Sequence, residues 1–376
     1  KVWTTDWRAV AGTATEHVLT VASSALLPKR VWFGSKAEGA SSGGVWVCDF
    51  GDTLDAVSCA NPQPGSNVGS IQAFAQAPYN TYRVYAGSET QGVLICPEHC
   101  AAEESWAQSN TGLGNLNIRD IVVDPHEPKH IYVATAAGVY RSLNAGASWS
   151  AYNNGLLLNQ QDAHSLALYR PHILAEPVLY LGTAGAGVLR KTGAAHWQSV
   201  NTGIFSQDAT SNEGTPYLES VTISTLEAHP VTSGLIYGGG TGQHQILDAI
   251  WKVGIWERSE TEGLSNWIQR GRNGSNGFPC PENSPDLCTP VTAGTGLSSM
   301  QVRDLAVDPA QPQHIYAATG SDGAQAGGIY RSTDAGASWQ PFHSVNSEAA
   351  LTDATALVIN HLKLYAGTSQ GLFYTP

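Results

Sequence analysis

Short stretches in which apolar and polar residues alternate recur along this chain, and the clearest is residues 327–342, GGIYRSTDAGASWQPF. Ile329 and Arg331 alternate with Tyr330 at the two-residue period of a β-strand, a turn follows, and Trp339 opens a return strand. Residues 137–152, AGVYRSLNAGASWSAY, repeat the pattern almost unchanged. A unit this short cannot fold alone, so the repeat predicts an array of similar β-sheet units.

The upstream sequence repeats as well, because residues 118–135 match residues 302–319. The full template is an apolar strand, a proline-containing turn, a strand of the type IYAAT, a loop, a strand of the type GIYR, a turn and a Trp-led strand. Seven passes of this template are predicted. Besides the two clear copies, they place second strands at residues 31–35, 84–88, 179–183, 236–240 and 364–368, and third strands at residues 44–48, 92–96, 187–190, 250–252 and 371–374.

The last pass lacks a fourth strand of its own, and residues 2–10, which contain Trp7, supply a candidate. A ring of sheets removes its open edges by closing, and pairing the first strand with the last unit does this. We therefore predict an all-β, seven-bladed β-propeller of four-stranded antiparallel blades. It is expected to be a single domain of residues 1–376, in which residues 2–10 complete the blade formed by residues 354–376.

Composition and charge narrow the classes of partner. Forty glycines, 14 tyrosines and 11 tryptophans suit short strands joined by tight turns. The net charge of −12 and the absence of a basic run argue against nucleic acid and anionic membrane surfaces. No apolar stretch approaches the roughly 20 residues of a membrane helix. The chain starts at Lys1 rather than methionine, which favours a processed mature protein; an artefact of the chosen start is the alternative.

Six cysteines fall into three close pairs, which predicts the disulfides Cys48–Cys59, Cys96–Cys100 and Cys280–Cys288. A zinc site is the alternative, but no CxxC occurs and only His99 adjoins a cysteine pair. Disulfides imply an oxidising compartment, so we expect a secreted, extracellular or periplasmic protein.

Each residue type in the Trp-led turn has a mechanical task. Asp334 can accept backbone N–H bonds, Gly336 permits a positive φ and Trp339 can cover the apolar side of the hairpin. The pattern resembles the Asp-box (BNR) repeat, S-x-D-x-G-x-x-W, found in sialidases, sortilin-type receptors, xyloglucan-cleaving endoglucanases and photosystem II stability factors. In those families the box lies on outer turns away from the site. The resemblance therefore implies structural roles for Ser142, Asn144, Gly146, Trp149, Ser332, Asp334, Gly336 and Trp339.

Cys48 and Cys96 stand where the two clear copies have Ser142 and Ser332. We therefore expect blades one and two to close this hairpin with a disulfide in place of the hydrogen bonds of the Asp-box.

Long insertions concentrate on one face of the predicted propeller, where the loops between second and third strands and the links between blades lie. They are residues 35–43, 60–69, 205–217, 241–249, 268–300 and 320–327. An expanded turn between the third and fourth strands of blade five is the exception. Long loops on a rigid scaffold are the usual location of binding sites, with neutral loop growth as the alternative. The longest insertion holds Phe278, the third cysteine pair and a glycosylation sequon at Asn273.

Candidate ligand-binding residues lie on the inner strands and in the insertions. They are Arg119, Asp120, Arg303, Asp304, His244 and Phe278, and Asp162, His164 and Asp353 are expected near the inner strands. Carboxylates around a central channel could bind a cation or a sugar or act as an acid–base pair. The alternative is that each arginine pairs with an aspartate. The sequence contains no HExxH, GxSxG, P-loop, dinucleotide or EF-hand motif, so we assign no catalytic residues, metal or cofactor.

We favour a secreted or cell-surface, non-catalytic module that binds a protein or glycan through the insertion face, either alone or as a subunit of a larger extracellular assembly. The alternative is a glycoside hydrolase acting on a polysaccharide with channel carboxylates. Xyloglucan-cleaving endoglucanases use a cleft between two seven-bladed propellers, and this chain has length for one. Sialidases need an Arg-Ile-Pro motif, which is absent. Photosystem II stability factors use a basic patch, which this acidic chain lacks.

Overall fold

The computed structural model describes the chain except residues 1–4, 24–25, 39–40, 52–56, 63–67, 78–82, 98–99, 101–105, 173, 203, 205–220, 247–248, 253–254, 261–266, 271–296, 298–300, 322–325, 344–350, 361–362 and 376. The chain divides into two compact units. The first contains residues 1–153 and 343–376, and the second contains residues 154–342.

The first unit contains four antiparallel sheets of four strands each. Blade one is β2 (Val18–Ser23), β3 (Arg30–Glu38), β4 (Ser41–Phe50) and β5 (Val57–Ala60). Blade two is β6 (Ile71–Gln76), β7 (Val84–Ser88), β8 (Gly92–Cys96) and β9 (Ala107–Gln108). Blade three is β10 (Ile118–Val123), β11 (Ile131–Thr135), β12 (Gly138–Ser142) and β13 (Ser150–Ala151). Blade seven is β27 (Ala354–Ile359), β28 (Leu364–Thr368), β29 (Gly371–Tyr374) and β1 (Arg8–Ala9).

The described residues of the second unit form three antiparallel sheets and one short 3₁₀ helix, η1 (Leu158–Gln160). Blade four is β14 (Ala163–Tyr169), β15 (Val178–Thr183), β16 (Val188–Thr192) and β17 (Gln198–Ser199). Blade five is β18 (Val221–Ala228), β19 (Leu235–Ile246), β21 (Ile255–Ser259) and β22 (Ile268–Arg270), with β20 (Ala249–Lys252) paired to β19 outside this order. Blade six is β23 (Gln301–Val307), β24 (Ile315–Gly320), β25 (Gly328–Ser332) and β26 (Gln340–Pro341).

Seven small antiparallel sheets with almost no helix make the chain an all-β, seven-bladed β-propeller, as the sequence predicts. The predicted closure is also confirmed. Arg8 pairs with Tyr374 and Ala9 with Phe373, and the N–H of Val10 donates to the carbonyl of Leu372 over 2.8 Å. The N-terminal strand therefore supplies the fourth strand of blade seven. That residues 1–376 form a single domain stays a prediction.

The third strand of blade five differs from the prediction. Residues 250–252 belong to β20, and the strand that pairs with the blade is β21, whose Ile255 lies opposite Gly239. Both segments begin with Ile-Trp, so local periodicity cannot distinguish them; the sheet register does. The turn between the third and fourth strands is therefore not expanded. The extra residues of blade five lie in the connection between its second and third strands, with the other insertions.

Every second strand carries a fully buried aromatic residue at an equivalent position, flanked by its neighbours in strands one and three. The seven are Trp32, Tyr85, Tyr132, Tyr180, Tyr237, Tyr316 and Tyr365, each no more than 1% exposed. Burial raises the pKa of Tyr316 to about 12. A neutral phenol can be buried at low cost when its hydroxyl finds a partner, so these residues provide large apolar surface in every blade.

Successive blades within each unit pack through a small residue two positions further along the second strand. A Cβ added to Gly34 would lie 2.6 Å from the carbonyl oxygen of Ile71, the first residue of the next inner strand. The same close approach joins Gly87 to Ile118, Gly182 to Ile223, Gly239 to Val302 and Gly367 to Val18. These five blades carry glycine because the apolar residue of the next blade occupies the space that a side chain would need.

Candidate functional site

The two ends of each blade differ in the connections that leave from them. In an antiparallel four-stranded blade, the connection from strand two to strand three and the link to the next blade leave from one end, here called the insertion end. The other two turns lie at the opposite end, here called the turn end. Two hairpins extend beyond the others at insertion ends. The strands β3 and β4 have 9 and 10 residues and β19 has 12, whereas the other second strands have five or six.

A threonine hydroxyl closes the connection between the second and third strands in four blades. In blade three the Thr135 hydroxyl donates to the Gly138 carbonyl over 2.8 Å and accepts the N–H of Ala137 over 3.1 Å. Equivalent bonds are made by Thr183, Thr319 and Thr368. Blade five has Gly240 at this position, where no hydroxyl can close the turn, and β19 continues to Ile246. In blade one the Ser35 hydroxyl accepts the indole N–H of Trp46 instead, over 3.3 Å.

Two of the predicted ligand-binding residues, His244 and Phe278, fall in the predicted insertions 241–249 and 268–300. His244 lies in β19, in the part of the strand that extends past the blade, and its backbone pairs with Trp251 of β20. Phe278 lies outside the described residues, as do Asn273, Cys280 and Cys288.

The inner strands of all seven blades share one irregularity. Each has a register shift, or β-bulge, within its first five residues. In blades three and six the residues at the bulge are Arg119, in the first unit, and Arg303, in the second. A β-bulge changes the direction of a side chain relative to the regular alternation of the strand. Both arginines therefore lie at a position where this alternation is interrupted.

The aspartates that follow make local contacts. Asp120 Oδ1 accepts the N–H of Ile121 over 2.7 Å, and Asp304 Oδ1 accepts the N–H of Leu305 over 2.8 Å. Asp304 Oδ1 also accepts the hydroxyl of Thr225, at 3.3 Å, from the neighbouring blade of the second unit. These bonds hold both carboxylates against the bulge, so Asp120 and Asp304 have a structural role.

The second unit also contains the predicted pair Asp162 and His164 at the start of blade four. His164 Nε2 lies 3.8 Å from Asp162 Oδ1, and both side chains are partly exposed. Asp353 belongs to the first unit. Beside this pair, the Ser165 hydroxyl donates to the Ile223 carbonyl over 2.9 Å, and the Ser224 hydroxyl donates to the Val302 carbonyl over 2.5 Å. Hydroxyls thus join the inner strands of blades four, five and six.

At the turn end, the repeated Trp-led turn has the predicted geometry. Ser332 Oγ donates to Asp334 Oδ1 over 2.7 Å, and Asp334 Oδ1 accepts the N–H of Ser338 over 2.8 Å. Gly336 has φ 88°, and its N–H donates to Ser332 Oγ over 2.8 Å. The indole N–H of Trp339 donates to the Gly336 carbonyl over 3.0 Å. Blade three repeats these bonds through Ser142, Asn144, Gly146 and Ser148, and Trp149 is buried.

The residue that begins this turn is buried in every blade, but its chemistry varies. Its partner in the second strand is the residue just before the buried aromatic residue. The set is Cys48, Cys96, Ser142, Lys191, Arg258, Ser332 and Thr375. Disulfides join Cys48 to Cys59 and Cys96 to Cys100, as the sequence predicts. In blade four the Lys191 ammonium lies 5.8 Å from the ring centroid of Trp197.

In blade five an ion cluster that sequence patterns did not indicate surrounds Glu260, just after β21. Arg190 of blade four makes two bonds of 3.1 Å to the Glu260 carboxylate, and Arg258 Nε lies 3.3 Å from Glu260 Oε1. The Tyr180 hydroxyl also donates to this carboxylate. Burial alone would raise the pKa of Glu260, but the Tyr180 hydrogen bond and the two arginines outweigh it and lower that pKa. Burial and the neighbouring carboxylate raise the pKa of Tyr180, which keeps its phenol neutral.

The described residues contain no group of three or more His, Cys, Asp or Glu side chains that could hold a metal ion. Among the same residues, no helix is long and apolar enough to cross a membrane.

Comparisons with known proteins show the fold alone. No family model and no curated protein matches the chain. It is similar to the GH74 xyloglucanase from Xanthomonas campestris, with TM-score 0.60 and 17% identity, covering 98% of this chain and 53% of that one. It is similar to the extracellular domain of BT4673 from B. thetaiotaomicron, with TM-score 0.63 and 13% identity, covering 99% and 40%. It is also similar to YCF48 bound to D1 peptide, with TM-score 0.59 and 13% identity, covering 100% and 95%. The chain thus spans about half or less of the first two chains.

Proposed function

We propose that this chain is a secreted or cell-surface, non-catalytic β-propeller that binds a protein or glycan partner through the insertion ends of its blades. The observation that carries the proposal is the elongation of β3, β4 and β19, because strands that extend beyond their blade enlarge the surface that the insertion end offers to a partner. The similar structures include a peptide-bound protein and an extracellular domain, which supports a binding role. The two disulfides support an oxidising compartment.

The experiment removes the projecting part of blade five and keeps the blade. Gly240→Thr together with replacement of residues 241–253 by Ala-Ala recreates the blade three sequence Thr135-Ala136-Ala137-Gly138, because Gly254 precedes Ile255 in the chain as Gly138 precedes Val139. We expect this variant to keep the thermal unfolding transition of the wild type and to lose retention of the native partner in affinity capture and of glycans on an array.

The matched control is Leu143→Thr at the turn end of blade three, where blade six has Thr333. It should retain whatever the wild type retains. Equal retention of every ligand by the shortened variant would contradict a binding role for this hairpin.

A glycoside hydrolase is the second candidate, because one similar structure is a xyloglucanase. We propose Arg119, Asp120, Arg303, Asp304, His244 and Phe278 as ligand contacts in either case. Hydrolysis of xyloglucan or another β-glucan that is abolished by Asp120→Asn or by Asp304→Asn would establish the enzyme and overturn the non-catalytic proposal. Release of reducing sugar is the measurement, with Asp334→Asn at the turn end as the control.

We also propose that the Trp-led turns of blades three and six are Asp-box repeats and that residues 1–376 unfold as one domain. The hydrogen bonds from Ser332 and Ser142 to the neighbouring acidic or amide side chain support the first point. A single calorimetric transition would support the second, and two separate transitions would contradict it.

A further inference from the structure

The link that leads from blade three into blade four contains an Asn-Gly pair, Asn154 and Gly155, at a position that recurs in other links. The main-chain carbonyl of Asn154 accepts the N–H of Trp197, the residue just before β17, over 3.0 Å. Thr111 and Thr202 occupy the same position in two other links, and each accepts the N–H of the corresponding tryptophan over 2.8 Å. The link into blade four therefore has asparagine where these two links have threonine.

The second residue of the pair has to be glycine. Gly155 has φ 95°, and Gly112, which follows Thr111, has φ 89°, both in the left-handed region that favours glycine. A Cβ added to Gly155 would also lie 2.8 Å from the backbone nitrogen of Trp197. The fold thus requires glycine after position 154, and asparagine in place of threonine creates the Asn-Gly sequence.

Asparagine is a chemically labile residue, and it is most labile before glycine, which has no side chain to shield its main-chain nitrogen. The reaction needs an asparagine amide that is free to reach that nitrogen. Asn154 and Gly155 are both exposed. Within the described parts of the chain, neither the Asn154 side-chain amide nor the Gly155 N–H makes a hydrogen bond. The two reacting groups are therefore accessible to each other and to water.

Two nearby asparagines are held by hydrogen bonds instead. Asn153 Oδ1 accepts the N–H of Val139 over 2.7 Å, and Asn144 Oδ1 accepts the N–H of Ser148 over 2.9 Å. The residues that follow them are asparagine and alanine, not glycine. Both provide internal references for the reactivity of the Asn-Gly pair.

We propose that Asn154 is a deamidation site of the folded protein and that its main product is isoaspartate. The Gly155 nitrogen loses its proton to hydroxide and attacks Asn154 Cγ. A new C–N bond forms, the C–N bond of the side-chain amide breaks, and the amide nitrogen leaves as ammonia. Water then opens the cyclic imide at either carbonyl, giving aspartate or isoaspartate. The net reaction consumes water, releases ammonia and needs no oxidant or cofactor, and the inference does not depend on the proposed function.

The isoaspartate product changes the link in two ways. The main chain then runs through Cγ of residue 154, so the link gains one backbone atom, and the former main-chain carbonyl becomes a carboxylate. That carbonyl is the group that accepts the Trp197 N–H, so the contact between the link and the fourth strand has to rearrange. The carboxylate also adds a negative charge to the link at the insertion end of blade four.

The test follows folded chains of residues 1–376 during incubation in neutral and mildly alkaline buffers. Peptide mapping by fragmentation mass spectrometry locates each conversion of amide to acid, and it separates Asn154 from Asn273 and Asn276, which also precede glycine. A protein isoaspartate methyltransferase with labelled S-adenosylmethionine distinguishes isoaspartate from aspartate in the same peptide. The matched control is Asn154→Thr, which carries the residue found at Thr111 and Thr202.

We expect Asn154 to deamidate at least tenfold faster than Asn153 or Asn144, and faster still as the pH rises, because base removes the proton of the attacking nitrogen. The peptide that contains residue 154 should accept the methyl label in the wild type and not in Asn154→Thr. Equal deamidation rates at Asn154 and Asn153, a peptide that acquires only aspartate, or a label that persists in Asn154→Thr would overturn the inference.

Thermal unfolding tests the consequence for the link. Fresh wild type and fresh Asn154→Thr should unfold at the same temperature, whereas the incubated wild type should unfold at a lower temperature than equally incubated Asn154→Thr. Because both proteins retain Asn273 and Asn276, a difference between them reports on residue 154. Equal unfolding of the two incubated proteins after isoaspartate has formed would overturn the proposed change at the Trp197 contact.

Discussion

Gly87 of β7 lies directly against Ile118, the first residue of the next inner strand, and a Cβ added to Gly87 would come 2.7 Å from Ile118 Cγ2. The φ of Gly87 is not in the left-handed region, so the glycine serves packing and not backbone conformation. Blades three and six carry Ala134 and Ala318 at the same place in the strand. The position thus accepts only the smallest side chains.

We expect Gly87→Ala to lower the free energy of unfolding by about 1–3 kcal/mol, because the added methyl overpacks the contact between two blades. Urea denaturation followed by tryptophan fluorescence measures the change. Combining Gly87→Ala with Ile118→Ala makes room for the methyl group, so the double variant should be more stable than the sum of the two single changes predicts. Strict additivity would mean that the two side chains do not compete for space.

The disulfides should stabilise their hairpins unequally, because they close loops of different size. The cysteines of Cys48–Cys59 are 11 residues apart, and those of Cys96–Cys100 are 4 apart. By loop-closure entropy, Cys48→Ser/Cys59→Ser should cost about 3 kcal/mol and Cys96→Ser/Cys100→Ser about 2 kcal/mol. Chemical denaturation of the two variants tests the order. Labelling of Cys48 or Cys59 by a thiol reagent in the unreduced native protein would show that this bond is not formed.

Glu260 should stabilise the contact between blades four and five through its ion pair with Arg190. Glu260→Gln leaves Arg190 and Arg258 without a carboxylate, so we expect a loss of about 2–3 kcal/mol at pH 7. Tyr180→Phe removes a single hydroxyl from the same cluster and should cost less.

The pH dependence of that difference follows from the lowered pKa of Glu260. A depressed carboxyl pKa contributes stability that is present above the unfolded value of about 4.5 and is lost as the pH falls through the folded value. The gap between wild type and Glu260→Gln should therefore be constant at neutral pH and shrink below about pH 4.5. A gap that does not change between pH 7 and pH 3 would contradict the ion cluster.

The blade three turn provides a natural control for Asp334. Because Asn144 makes the corresponding bonds to Ser142 and Ser148, Asp334→Asn should change stability by less than about 0.5 kcal/mol, whereas Asp334→Ala should cost about 1–2 kcal/mol. Thermal unfolding of both variants measures this. Burial alone would raise the pKa of Asp334, but the Ser338 hydrogen bonds outweigh it and lower that pKa. The wild type should therefore lose its small advantage over Asp334→Asn at acidic pH. Equal cost for asparagine and alanine would show that the acceptor is irrelevant.

Local patterns predicted most strands because the alternation and the turn signals lie within a few residues of each other. The predicted strands at residues 84–88 and 364–368 coincide with β7 and β28. The third strand of blade five was misplaced, since residues 250–252 and β21 carry the same Ile-Trp signal and only pairing with Gly239 selects one. Gly240 is visible in the sequence as the one position of this kind without a hydroxyl, since the other six blades carry serine or threonine there.

The candidate site was predicted less completely than the strands, because its contacts also depend on how distant segments pair. The positions of Arg119 and Arg303 at the start of inner strands follow from the repeat, but the bonds made by Asp120 and Asp304 depend on the bulge. The ligand roles of these residues, of His244 and of Phe278 remain predictions. The cluster around Glu260 could not be predicted, because Arg190 lies 70 residues away in the chain.

The sequence by itself determined the class of fold, the approximate positions of seven sheets and the closure of blade seven, because these depend on short-range periodicity and on a repeat that is visible in the residues. It also determined the disulfides Cys48–Cys59 and Cys96–Cys100, whose partners are close in the chain. The tertiary structure decided which Ile-Trp segment completes blade five, which residues take the place of Ser332 in each blade and which leucines remain exposed. Those outcomes depend on pairing and packing between residues distant in sequence, which no local pattern records.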